Sequence, residues 1–315
     1  MRKRDLSLVF FTILSQWSIG MILWLTLLTL LAGEARIQAQ TGPGPTNPVL
    51  LALLLVALAT TLSFLHLGKP VNAPKAVRNL ATSWLSREIL AIGLYSLCLL
   101  FALVHGWQTN APGFAWYLLA PALVAGLFLL WTMTGVYLIA TVPPWNSAHT
   151  PLGFTLTTLC LGAISCLVFG MAGSINIDAP LLDLCGGVLV AALILEAVAS
   201  QANQQRLRNM DTGFRGPVFG HGPLQVLFRA RLAMLLVATL GLTFVLLETG
   251  PAFGPEPSSW VYAVLALVGL QEFAGVDIRR THRRATVVPP SPAVLQFGTR
   301  KPALDAGLHG QEQAR

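Results

Sequence analysis

Two ionisable positions, His66 and the Arg87-Glu88 pair, face each other across a basic loop between two apolar runs, LSFLHLGKPVNAPKAVRNLATSWLSREIL over 62–90. A helical hairpin built on this stretch brings an imidazole and a carboxylate to the same depth. Histidine changes charge near physiological pH and a carboxylate relays protons, so the pair is suited to accepting protons and passing them on. Ionisable groups at the edge of a hydrocarbon layer are scarce and are a functional hypothesis by default. Local signals fit the hairpin, since Gly68 and Pro70 stop the first helix and Ser86 is expected to cap the second. Trp84 offers an apolar wall beside the pair, while Arg87 either holds Glu88 ionised or orients a partner loop. The competing reading makes them ordinary interface residues, Glu88 favoured by a helix dipole and His66 snorkelling to the headgroups.

The elements that must position these groups are membrane spans. A hydrophobic fraction of 54% with 10% charged residues, arranged as apolar runs near the roughly 20 residues a crossing requires, excludes a soluble domain. The expected fold is all-α, a polytopic bundle of eight transmembrane helices at about 8–32, 49–66, 88–105, 114–140, 151–172, 181–199, 230–248 and 259–276. The first run is too long, and lacks the small-residue cleavage site, for a signal peptide. Residues 1–284 form the expected eight-span transmembrane domain, and 285–315, with Pro289, Pro290 and Pro292, read as a disordered cytoplasmic tail.

Basic residues set the orientation. Arg2, Lys3 and Arg4 precede the first span, Lys69, Lys75, Arg78 and Arg87 fall between the second and third, and Arg206, Arg208, Arg215, Arg229 and Arg231 between the sixth and seventh. The tail adds the rest, so Arg36 is the one of 20 basic residues on the opposite face. The positive-inside rule then puts both termini and the hairpin loop in the cytoplasm. On that face the stretch from Ser200 to Arg231 is the largest expected inter-span segment. The opposite loops, 33–47, 106–113, 173–180 and 249–258, are short Gly- and Pro-rich turns with no room for a domain. No aromatic-interleaved basic domain stands outside the spans, which argues against nucleic acid as a partner.

Cysteine and histidine narrow the redox options. Cys98, Cys160, Cys166 and Cys185 fall in apolar runs without the spacing of a zinc or iron–sulfur site, so no metal is expected on this chain. His105, His149, His221, His282 and His309 lie in loops, at span ends or in the tail, not in the paired intramembrane positions a b-type haem requires. Of the remaining carboxylates, Glu196 and Glu272 approach the cytoplasmic end, where Arg206, Arg229 or Arg279 is within expected reach; structural pairing is favoured over a proton path. Pro143, Pro144, Trp145, Asn146 and Thr150 read as a rigid turn with an aromatic anchor.

The run HLGKPVNAPKAVRNLATSWLSREIL, followed after two spans by VPPWNSAHTPLGF at 142–154, resembles the membrane anchor subunit of dimethyl sulfoxide reductase-type molybdoenzymes. The resemblance covers most of the chain and is specific in those two segments. It implies an anchor without a cofactor of its own, in the bacterial cytoplasmic membrane, holding an iron–sulfur ferredoxin-like subunit and a molybdopterin catalytic subunit, and oxidising menaquinol as an exchangeable substrate. It also implies quinol chemistry at His66 and Glu88; Trp84, Ser86 and Arg87 are the residues expected beside the quinol from their place in the hairpin. Lys75, Arg78, Arg206, Arg208 and Arg215 are the expected docking residues for the soluble partners. Two alternatives stay open: an anchor for a polysulfide, tetrathionate or nitrite reductase, and a secondary transporter, although no matching pair of broken spans is evident.

Overall fold

A computed structural model describes residues 3–33, 38–39, 47–64, 79–109, 116–139, 145–209, 223–248, 264 and 266–269. Among them are helices α1 (Lys3–Ala32), α2 (Pro48–Phe64), α3 (Trp84–Thr109), α4 (Trp116–Tyr137), α5 (His149–Met171), α6 (Ala179–Asn209) and α7 (Pro223–Glu248), with two-residue strands β1 (Gln38–Ala39) and β2 (Ile175–Asn176). Helices α1, α3, α4, α5 and α6 are each long and apolar enough to cross a membrane, and α2 is a shorter apolar helix. The protein is an integral membrane protein of helical architecture. Five such spans, not eight, are found among the described residues; the expected eighth, 259–276, lies mostly outside them, as does the tail 285–315.

Helix α1 is the hub. It packs against α2, α4 and α5, while α3 pairs with α4, α5 with α6 and α6 with α7. Its crossing with α5 is unusually close, because a Cβ on Gly20 would stand 2.1 Å from the Thr158 carbonyl oxygen and one on Gly162 would stand 2.3 Å from the Gly20 oxygen. Small residues let backbones approach in this way, where van der Waals contact rather than hydrophobic burial holds membrane helices together. The antiparallel β1–β2 pair, Gln38 with Asn176 and Ala39 with Ile175, ties the segment after α1 to the segment after α5. Both helices therefore end on one side of the bundle.

The opposite end is marked by Trp84. Gly135, near the end of α4, lies beneath the Trp84 ring, and Gly126, farther back, lies beside Tyr95, so α3 and α4 run antiparallel. Tyr137, the last residue of α4, reaches Thr12 of α1 through its hydroxyl at 3.1 Å and packs its ring on Trp145 and Phe154. The starts of α1, α3 and α5 thus share the Trp84 end.

Three element boundaries differ from those expected of the sequence. Helix α3 begins at Trp84, and the hydroxyl of Ser83, not that of Ser86, accepts from a first-turn N–H, that of Ser86, at 3.3 Å. Glu88 is accordingly past the first turn rather than at the helix start. Helix α6 runs on to Asn209, ten residues beyond its apolar stretch, because SQANQQRLRN has good helix formers and no Gly or Pro. Much of the expected 200–231 loop is therefore helical, and α7 begins at Pro223.

Candidate functional site

Glu88 faces the bundle interior. It is 7% exposed and shares the buried stripe of α3 with Ala91, Ile92, Tyr95 and Leu99, the spacing of one helical face. Two turns along that stripe, about 10.5 Å of helix rise, the Tyr95 hydroxyl lies 2.9 Å from Ser18 Oγ of α1. Ser18 in turn donates to the Ala52 carbonyl of α2 at 2.7 Å. This three-helix node fixes the rotation of α3, whose buried face carries Glu88. No ion pair to Glu88 is present among the described residues.

Arg87 does not hold it. Its guanidinium donates to the carbonyls of Leu80 at 2.8 Å and Ala81 at 2.6 Å, and its Cζ stands 4.5 Å from the Trp84 ring centroid. It ties the turn before α3 to the first turn of that helix, a cation–π contact being part of the clamp. Trp84 is only partly available as an apolar wall. Its ring packs edge-on to Trp131, with centroids 5.0 Å apart, and covers Gly135, where a Cβ would come within 2.5 Å of it. Ser86 is buried on the inner side of α3 with Glu88.

Of the other expected site residues, His66, Lys75, Arg78 and Arg215 lie outside the described residues. Arg206 is exposed near the end of α6, its Nη2 donating to the Asn146 carbonyl at 3.5 Å, and Arg208 lies on the last turn of the same helix. The expected turn at 145–150 is present, with Trp145 buried and the Thr150 hydroxyl donating to its carbonyl at 2.6 Å.

Glu196 is structural, as expected, but its partner is different. It forms a buried ion pair with Arg231, which also donates to Ser200 Oγ at 3.4 Å. Arg231 is 4% exposed inside the α6–α7 contact, not a loop cation. An arginine that close to a span end reads in sequence as a topology signal, and only the extension of both helices brings it inward.

Helix α1 adds residues that the sequence did not single out. Its segment TILSQWS at 12–18 is unusually polar for a span. Ser15 and Gln16 are fully buried, and neither the Ser15 hydroxyl nor the Gln16 amide finds a hydrogen-bond partner among the described residues. Ser15 lies one turn before Ser18, on the face that meets α3 through Tyr95, and so toward the level of Glu88. Gln16 lies one turn after Thr12, on the face that meets Tyr137. Polar groups buried in a dry interior without partners cost several kcal/mol each in order of magnitude.

A helical membrane bundle with a buried carboxylate and unmatched hydrogen-bonding groups near one end defines the class. Within it, the model of the DMSO reductase anchor subunit (DmsC) family matches residues 1–275, and the protein belongs to that family. It is 33% identical over 164 residues to the anaerobic dimethyl sulfoxide reductase chain YnfH of Escherichia coli, an alignment that takes in 48% of this sequence and 57% of that one. Against the anaerobic dimethyl sulfoxide reductase C chain of Haemophilus influenzae it is 32% identical over 161 residues, 50% and 56% of the two sequences. The sulfite dehydrogenase C subunit of Allochromatium vinosum is 29% identical over 214 residues, 64% of each. The match thus spans a little over half the length of the first two relatives. No solved structure matches it.

Proposed function

We propose that this protein is the membrane anchor of a dimethyl sulfoxide reductase-type complex and oxidises menaquinol at the Trp84 end of the bundle. The observation that carries the reading is Glu88, a carboxylate turned into the bundle with no ion pair among the described residues, with Ser15 of α1, also without a partner among them, lying between its level and that of Tyr95. Quinol oxidation releases two electrons and two protons and leaves the quinone. Glu88 takes one proton, His66 takes the other, and the Ser15 hydroxyl orients a quinol oxygen. Ser86 lies beside Glu88, and Trp84 with Arg87 forms the rim.

The electrons leave to an iron–sulfur ferredoxin-like subunit and from it to a molybdopterin subunit, both docked on the face that carries Arg206, Arg208 and Arg215 together with Lys75 and Arg78. Under the positive-inside rule this face is cytoplasmic in the bacterial inner membrane, with both termini on the same side. Membership of the anchor family favours this reading over a transporter.

A second reading follows from the relative named as a sulfite dehydrogenase component. On that reading of this protein, soluble subunits deliver electrons and the same residues return protons to a quinone. Affinity purification of the tagged protein, followed by menaquinol and menaquinone assays on the intact complex, tests both. An iron–sulfur and a molybdopterin subunit that co-purify and turn over menaquinol support the proposal. An anchor that purifies without soluble partners contradicts both readings.

A further inference from the structure

A cleft with a polar mouth opens at the Trp84 end of the bundle, between the first turn of α5 and the last turns of α6. Its volume is about 490 Å³, and its lining includes Ser147, His149, Leu152, Ala202, Asn203 and Arg206. The Ser147 hydroxyl and the Asn203 carbonyl oxygen are buried there and have no hydrogen-bond partner among the described residues. Arg206, exposed at the mouth, has one long hydrogen bond to a carbonyl and no carboxylate among the described residues. Helix α5 starts beside the cleft, where Ala148 joins the lining; the Thr150 N–H is already bonded to the Ser147 carbonyl at 3.1 Å and Pro151 has none to give, so Arg206 supplies the charge at the mouth. The walls below, Leu152 with Ala199 and Ala202, are apolar.

We infer that this cleft binds the headgroup of a membrane phospholipid. The lipid phosphate sits against the Arg206 guanidinium and accepts from the Ser147 hydroxyl. A headgroup donor, the hydroxyl of a glycerol or the ammonium of an ethanolamine, satisfies the Asn203 oxygen. An acyl tail descends along Leu152, Ala199 and Ala202. A lipid is favoured over free phosphate because the cleft joins a cationic mouth to an apolar wall at a span end, the depth at which a bilayer places its own phosphates. It is favoured over a partner's carboxylate because a carboxylate has no donor for the Asn203 oxygen. Glu88 and the proposed quinol chemistry take no part in this site.

The test uses the full-length protein purified in detergent and native mass spectrometry with added phosphatidylglycerol and phosphatidylethanolamine. The expected result is one tightly retained phospholipid, reduced at least tenfold in Arg206→Gln and equally in Ala202→Trp, which fills the cleft without changing its charge. Arg229→Gln, at another exposed arginine, keeps the lipid. Far-UV circular dichroism confirms that each variant keeps its helices, and Arg206 is exposed enough to be replaced without unfolding. Failure of the wild-type protein to retain lipid overturns the inference, as does equal retention in both cleft variants. Displacement of the lipid by millimolar inorganic phosphate also overturns it, by making the site one for the free anion.

Discussion

Glu88 and Glu196 are two buried carboxylates near ends of long apolar helices, and the protein treats them differently. Glu196 has Arg231 against it, with Ser200 bonded to the same guanidinium, inside the α6–α7 contact. Glu88 has no ion pair among the described residues, and the arginine beside it in sequence is turned away onto two backbone carbonyls. A paired charge inside a low-dielectric bundle is a finished structural unit. An unpaired carboxyl at a comparable exposure, 7% against 1%, is not such a unit, and the proposed quinol chemistry gives it a partner that comes and goes. The difference separates a joint between helices from the position proposed for chemistry.

The largest expected effect breaks the finished unit. Arg231→Leu strands the Glu196 charge and destabilises the bundle by about 3–5 kcal/mol, whereas Glu196→Leu combined with Arg231→Leu recovers most of that loss. Reversible unfolding of the reconstituted protein measures both; if the double variant is no better than the single one, the pair is not the unit described. A smaller loss, about 1–3 kcal/mol, is expected for Gly162→Val, which forces α1 off α5 and rotates the polar face of α1 away from Glu88. The same unfolding assay reads it, and unchanged stability would mean that the close crossing does not set the position of α1. Smallest is Tyr95→Phe, which removes one buried hydroxyl and costs about 1 kcal/mol. It leaves Ser18 bonded to the Ala52 carbonyl, so a much larger cost would show that the node carries more of the α1–α3 contact than one hydrogen bond.

Much of this arrangement is legible in the sequence, and the exceptions have physical causes. Apolar runs mark the helices, and the SWLSREIL segment points to Glu88 because a carboxylate in such a run is rare. The cap of α3 is ambiguous because Ser83 and Ser86 are both acceptable, and the choice depends on where the chain turns after Leu80 and Ala81. Arg231 reads as a loop charge because hydropathy falls at the polar end of α6 while helix propensity does not. Ser15 and Gln16 do not stand out because serine and glutamine are tolerated in a span. Only the packing of α1 against α4 and α5, with α3 tied to it through Tyr95, shows that neither residue reaches a described partner.

The central claim is that Glu88 serves chemistry and Glu196 serves structure, and Glu88→Gln tests it most directly. Glutamine keeps the volume and hydrogen-bonding capacity of the side chain while removing the titratable group. In membranes holding the assembled complex at normal abundance, menaquinol-dependent turnover of Glu88→Gln should fall about 100-fold, while turnover from an artificial donor that enters through the soluble subunits stays at the wild-type rate, and His66→Ala should behave alike. Wild-type menaquinol turnover in Glu88→Gln, with all subunits at equal abundance, would contradict the account and make Glu88 a structural residue like Glu196.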